Sequence, residues 1–114
     1  MLPWRARLQL TLLALPVLLL ALTPYPRAFA EAMRRAETNR ASREYGAALE
    51  SYQQAAQLDP ESPLPWLRMG EVLLRQRRFD PAAVAFLEAG LRGAATDAFL
   101  GLGESRAGAG DWAS

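Results

Sequence analysis

The sequence has 114 residues, and its 13 basic and 12 acidic residues leave a net charge of +1. All of the basic residues are arginine, since lysine and histidine are absent, and there is no cysteine. The length excludes a large enzyme core, and the composition excludes disulfides, thiolate or imidazole metal sites and histidine general bases.

The amino-terminal part of the chain is basic and apolar. Residues 1–30 carry three arginines and no acid, whereas residues 31–114 have ten arginines and twelve acids, a net charge of −2. The uncharged residues 8–26 reach roughly 28 Å as a helix, close to the hydrocarbon thickness of a bilayer. We therefore predict a transmembrane helix over residues 5–23 that contacts lipid. Its expected interface residues are Trp4, Arg5, Arg7, Tyr25 and Arg27.

The predicted location is a bacterial cytoplasmic membrane, which the chain crosses once. Cations that are all arginine, together with abundant Ala and Leu, are typical of a high-GC bacterial genome. The basic start favours a cytoplasmic N-terminus, with the rest of the chain periplasmic or extracellular. Residues 1–27 are predicted to form the anchor and a short linker, in which Pro24 and Pro26 end the helix.

A cleavable signal peptide is the alternative interpretation of the same segment. Leu8–Leu22 would be its apolar region, and Ala28, Phe29 and Ala30 form a small-x-small triplet before Glu31. Cleavage after Ala30 would release the remainder of the chain from the membrane.

Residues 28–114 contain an internal repeat. Tyr45–Ala55 aligns with Phe79–Ala89 at an offset of 34, so aromatic and small residues recur at the same spacings. These spacings of three and four place each set on one face of a helix. Small residues let two helices approach, and aromatic rings fill the space beside them. Upstream, Trp66, Met69, Gly70 and Leu73 correspond to Phe99, Leu102, Gly103 and Arg106 at an offset of 33.

The repeat resembles the tetratricopeptide repeat (TPR) family, whose unit is a 34-residue helix pair. The copies are residues 29–62, in which the first helix fits weakly, 63–95, which fits well, and 96–114, which is incomplete. The resemblance implies an all-α fold, a short right-handed α-solenoid of antiparallel helix-turn-helix repeats after the transmembrane helix. Its expected packing residues are Tyr45, Ala48, Tyr52, Ala55, Pro60, Trp66, Gly70, Phe79, Ala82, Phe86, Ala89, Phe99 and Gly103.

We predict helices over residues 29–42, 45–58, 63–76, 80–92 and 97–108, and the start of another at Trp112. Asp80 is expected to cap one of them, and Gly108 and Gly110 to end another. Because the third copy is cut off after Trp112, we expect either further repeats beyond Ser114 or another protein that covers the last helix.

The resemblance also implies a concave groove lined by the first helix of each copy. Glu37, Glu71 and Glu104 occupy the same slot in successive copies and could receive a basic peptide. The alternative is that Glu37 pairs with Arg40 and Glu71 with Arg75 on the helix surface. The expected groove residues are Met33, Glu37, Leu64, Leu67, Glu71, Leu74, Leu100 and Glu104.

A basic cluster of Arg75, Arg77 and Arg78 follows the predicted helix 63–76. Near a membrane it would contact anionic headgroups, whereas a solvated helix end, where cations complement the dipole, is the simpler interpretation. The net charge of −2 over residues 31–114 predicts no binding of nucleic acid.

We expect a non-catalytic protein without a cofactor, because the carboxylates are scattered and no serine has a base partner. The predicted function is a membrane-anchored module for protein–protein interaction. It would act as a scaffold or accessory subunit that stabilises a larger membrane complex, for example a respiratory or photosynthetic one. The alternatives are a secreted or periplasmic adaptor released after Ala30 and the N-terminal docking module of a longer enzyme.

Overall fold

The chain forms a stack of α-helices in the computed structural model, which describes residues 25–110. Consecutive helices pack against each other, and short turns between them make neighbours antiparallel. The first helix of the second pair also contacts the last helix. The helices are α1 Tyr25–Ala41, α2 Tyr45–Leu58, α3 Leu64–Arg75, α4 Phe79–Leu91 and α5 Ala95–Ala109.

The helix bounds agree with the predicted ones to within two residues, except at the start of α1. This helix begins at Tyr25, four residues before the predicted start. Pro26 lies in the first turn of this helix, where its missing N–H removes no hydrogen bond, and the predicted helix that Pro24 and Pro26 would end lies outside the described residues. Asp80 also differs from expectation, because Arg78 holds the cap position of α4 and Asp80 lies in the first turn, near the positive end of the helix dipole.

The core lies between the helices of each pair. It is built from small side chains on both helices and a few large ones, of which Tyr52 and Phe86 are nearly inaccessible. The first helix of the first copy fits the repeat pattern weakly, but it packs into the core, where Ala32 and Ala36 are completely buried. At the repeat offset of 34, Ala32 corresponds to Trp66 of the second copy and Ala36 to Gly70. The other buried packing residues are Ala48, Ala55, Gly70, Ala82 and Ala89.

Two glycines on different helices hold the ring of Phe86. A Cβ atom built on Gly70 would lie 2.7 Å from this ring, and one built on Gly101 would overlap it. Phe86 belongs to α4, so its ring fills the space where α3 and α5 come together. Glycine at both positions is what lets these helices close over it.

Three of the expected packing residues are exposed, namely Phe99, Gly103 and Pro60, which lies in the turn after α2. Phe99 lies largely in solvent, and no atom lies within 4 Å of a Cβ built on Gly103. Gly70, the equivalent of Gly103, lies against Phe86 in the second helix of its own copy, and Trp66, the equivalent of Phe99, lies beneath Arg92, which caps that helix. In the third copy that helix would begin near Trp112, which lies outside the described residues.

The turns that end the first helix of each copy use a left-handed residue. Arg43, Arg77 and Gly110 have φ values of 60°, 59° and 83°, and they are spaced by 34 and 33 residues. Glycine adopts this conformation without strain, whereas an L side chain costs about 1–2 kcal/mol there. Gly110 caps α5 as predicted, whereas Gly108, the other glycine expected to end this helix, lies within it.

None of the helices within residues 25–110 has the length and apolar character that a membrane crossing requires. The predicted span over residues 5–23 and its interface residues Trp4, Arg5 and Arg7 lie outside the described residues. Tyr25 and Arg27, which we also expected at the membrane interface, are part of α1.

Candidate partner-binding groove

A groove runs between α3 and α5, the first helices of successive copies. Its hollow has a volume of about 480 Å³ and includes Phe86 and Gly101 among its lining residues. Leucines on both helices face it, and Leu64 and Leu100 are the more exposed of these. Six of the eight expected groove residues surround this hollow: Leu64, Leu67, Glu71, Leu74, Leu100 and Glu104.

The other two expected residues lie elsewhere. Met33 does not line the groove but is buried in the core, where its flexible, unbranched side chain fills space among the helices. Glu37 is half-buried and bound by neighbouring side chains on α1, α2 and α3. Its carboxylate is therefore already occupied.

Glu37 is the centre of an ion network that joins α1 to α3. Its Oε2 accepts from Nε and Nη2 of Arg40, at 3.0 and 2.6 Å. On the other side, Nε of Arg68 lies 3.3 Å from Glu37 Oε1. Arg68 Nη1 donates to both oxygens of Glu71 at 3.1 and 3.0 Å, and Arg40 Nη1 lies 3.9 Å from Glu71. Two carboxylates and two guanidiniums thus neutralise one another.

Tyr52 anchors this network to the core. Its hydroxyl, on α2, donates to Oε1 of Glu37 at 2.9 Å. Burial and this hydrogen bond to a carboxylate raise the pKa of Tyr52 above its usual value. Burial alone would raise the pKa of Glu37, but the hydrogen bonds from Arg40 and Tyr52 outweigh it and hold this pKa below its usual value. Glu37 is therefore ionised in the folded protein at neutral pH.

The expected row of acids is thus only partly available to a partner. Glu37 pairs with Arg40 as predicted, but Glu71 pairs with Arg68 rather than Arg75. Arg68 is one turn before Glu71 and already faces it, whereas Arg75 lies at the exposed end of α3. At the other end of the row, Glu104 is exposed, and no cation within residues 25–110 pairs with it.

Asp97 is a groove residue that the sequence analysis missed. It lines the same hollow as Glu104 and likewise has no ion-pair partner among the described residues. The signal was present in the repeat, because Asp97 is 33 residues after Leu64 and so occupies the slot of an expected groove residue. The open end of the groove therefore combines exposed leucine with two free carboxylates.

Comparison with known proteins supports the repeat architecture. The family model of the TPR repeat matches residues 40–76, a range that contains α2, α3 and the turn between them. Among solved structures, the TPR domain of Arabidopsis OM64 is similar, with a TM-score of 0.65 over 70% of this chain and 67% of that chain. The two are 17% identical, so this likeness concerns the fold. No curated protein matches the chain.

Proposed function

We propose that this chain, an α-helical solenoid with a TPR repeat, is a non-catalytic protein–protein interaction module that binds a peptide segment in the groove between α3 and α5. A TPR repeat is typical of interaction modules, and a concave surface with exposed leucine is the kind of site that receives an apolar side chain. The observation that carries the proposal is the pairing of exposed Leu64 and Leu100 with unpaired carboxylates in one hollow.

The charges of the groove specify the class of segment. The ion network on α1 and α3 is closed, so it offers no net charge to a ligand. Asp97 and Glu104 supply the remaining charge, and both are acidic. A segment with aliphatic residues flanked by arginine or lysine complements this surface, whereas an acidic segment would be repelled.

Two synthetic peptides test this proposal directly. Both are fluorescently labelled and share one pattern of leucines, but one carries arginine and the other glutamate at the flanking positions. Fluorescence anisotropy with the full chain should show binding of the basic peptide alone, at a level that falls as salt rises. Equal binding of both peptides, or binding of neither, would overturn the proposal.

Matched variants locate the binding. Leu100→Gln removes an exposed leucine from the groove, and Leu87→Gln removes one of similar exposure from α4, outside the hollow. We expect Leu100→Gln to lower the affinity for the basic peptide by about tenfold and Leu87→Gln to leave this affinity unchanged. The reverse order would place the site elsewhere.

We also propose that a transmembrane helix over residues 5–23 anchors this module in a bacterial cytoplasmic membrane, as an accessory subunit or scaffold of a larger complex. The support is the uncharged stretch 8–26, which is roughly 28 Å long as a helix, and the arginines on either side of it. Intact mass spectrometry of the protein extracted from membranes tests this. A mass that includes Met1–Ala30 supports an anchor, and a soluble form that begins at Glu31 would contradict it.

The non-catalytic assignment rests on composition. A chain without histidine, cysteine and lysine lacks the side chains that most often act as bases and nucleophiles near neutral pH. Within residues 25–110, no three metal-binding side chains form a cluster.

A further inference from the structure

A second hollow lies on the outer side of α4 and α5, away from the groove. It has a volume of about 460 Å³ and is lined almost wholly by apolar side chains. Four large residues around it are mainly in solvent, and we call them the outer patch. They are Val84, Leu87, Leu91 and Phe99, which are 57%, 54%, 82% and 75% exposed.

An equivalent hollow lies between α2 and α3, one repeat earlier, and has a different lining. There Gln53, Ala56 and Gln57 of α2 meet Trp66 and Met69 of α3 around about 300 Å³. At the repeat offsets these five residues correspond to Leu87, Gly90, Leu91, Phe99 and Leu102. The shape of the hollow is thus a property of the repeat, whereas its apolar lining belongs to the second occurrence.

Repeat packing does not account for the apolar residues of α4. Glu50, Gln53 and Gln57 are exposed in the first copy although α3 and α4 follow them. A later repeat in the same register would therefore leave the equivalents Val84, Leu87 and Leu91 exposed as well. Only Phe99 differs, because its equivalent Trp66 is half-buried beneath Arg92. Among residues 25–110, repeat packing therefore leaves these three aliphatic residues of α4 exposed, and a contiguous apolar surface of this kind marks an interaction site.

The pattern on α4 suits another helix. Val84, Leu87 and Leu91 are spaced by three and four residues, the spacing of the apolar seam between paired helices. Glu88 is the only charged residue in the hollow, and Arg92 of the same chain neutralises it. A surface without free charge does not repel a copy of itself, as a two-fold interface requires.

The size of the outer patch also fits a pair of identical chains. Four large apolar side chains that are each more than half exposed form a patch of roughly 300–600 Å², the range in which the largest patch on a monomer is often functional. Two such patches that face each other remove twice that area, and a polar rim brings the total to the roughly 1,000 Å² that a specific interface needs.

We propose that the outer patch is the interface of a homodimer, in which α4 of one protomer packs against α4 of its partner. The proposal is independent of what the groove binds, because Leu64 and Leu100 do not line the outer hollow.

The repeat itself supplies the test variant. Val84→Glu, Leu87→Gln and Leu91→Gln together place on α4 the residues that α2 already carries at these positions without loss of its helix. Leu100→Gln is the matched control, since it removes an exposed leucine from the groove instead. If the triple variant fails to fold by circular dichroism, Leu91→Gln alone replaces it, because Leu91 is the most exposed residue of the patch.

Sedimentation equilibrium of the full chain in mild detergent measures the dimer. We expect the triple variant, or Leu91→Gln to a smaller extent, to raise the dimer dissociation constant by at least about tenfold, and Leu100→Gln to leave it unchanged. A wild-type chain that is monomeric up to about 100 μM would overturn the proposal, as would a dimer that the triple variant forms equally well.

Crosslinking identifies the occupant of the patch. Because the chain has no cysteine, Leu87→Cys introduces a single thiol into the outer patch, between Val84 and Leu91 on α4. Mild oxidation in intact membranes should give a disulfide-linked species of twice the chain mass, whereas Leu100→Cys should not. Capture of Leu87→Cys by a different protein, without the self-linked species, would show that another partner covers the patch and would refute the homodimer.

Discussion

Gly101 and Gly103 lie two residues apart in α5, yet their replacement by alanine should have opposite effects on stability. Both are within the helix, so each replacement gains about 0.5–1 kcal/mol of helix propensity. At Gly103 the new methyl group meets no atom within 4 Å, and this gain remains. At Gly101 the methyl group overlaps the buried Phe86 ring.

The ring cannot turn away freely, because Gly70 is also close to it: a Cβ atom built on Gly70 would lie 2.7 Å from the same edge of the ring. Overpacking of this kind costs about 1–3 kcal/mol, which exceeds the propensity gain. We therefore expect Gly103→Ala to stabilise by about 0.5–1 kcal/mol and Gly101→Ala to destabilise by about 1–2 kcal/mol. Urea unfolding of the full chain, followed by circular dichroism at 222 nm, measures both. An equal rise of the two midpoints would show that Phe86 is not confined between α3 and α5.

Three further predictions concern other parts of the fold. The pKa of Glu37 is lowered in the folded state, so its ion pairs stabilise the fold above the usual pKa near 4.5, and this stabilisation is lost as the pH falls further. Glu37→Gln should lower the free energy of unfolding by about 1 kcal/mol at pH 7, because the network is a third exposed, and should make stability in acid depend less on pH. Arg43→Gly should stabilise by about 0.5–1 kcal/mol by relieving a positive φ, whereas Arg75→Gly, within α3, should destabilise by about 1 kcal/mol, both measured by thermal unfolding. Arg92→Lys should destabilise by about 1 kcal/mol and shift the fluorescence of Trp66, because the guanidinium donates to the Pro60 carbonyl and stacks 4.9 Å from the indole.

The sequence predicts the helices well because the repeat is a local pattern. Small and aromatic residues at spacings of three and four set both the helix face and the partner face, so bounds such as Tyr45–Leu58 follow without long-range information. The start of α1 was wrong for a local reason as well. A proline near a helix start reads as a breaker, although the first turn accepts it, as Pro26 shows.

The groove was harder to predict, because position in the repeat does not determine whether a charge is free. Glu71 and Glu104 occupy the same position of the repeat. Arg68 pairs with Glu71, whereas the residue equivalent to Arg68 in the next copy is Gly101, which leaves no cation beside Glu104. Ion pairing also depends on side chains from neighbouring helices, as Arg68 of α3 and Glu37 of α1 illustrate. Such contacts are set by the stacked structure and are not visible in a single copy.

Phe86 and Leu87 are neighbours in sequence but belong to opposite sides of the stack. The first lines the groove, and the second lines the outer hollow. A dimer formed through the outer patch would therefore leave the grooves of both protomers accessible, and a partner with two basic segments could bind them together. Such a partner gains affinity through effective concentration without any new contact. Loss of the dimer should then weaken a two-segment peptide strongly while a one-segment peptide binds as before, and equal losses for both peptides would show that α4 supports the groove rather than pairing the chains.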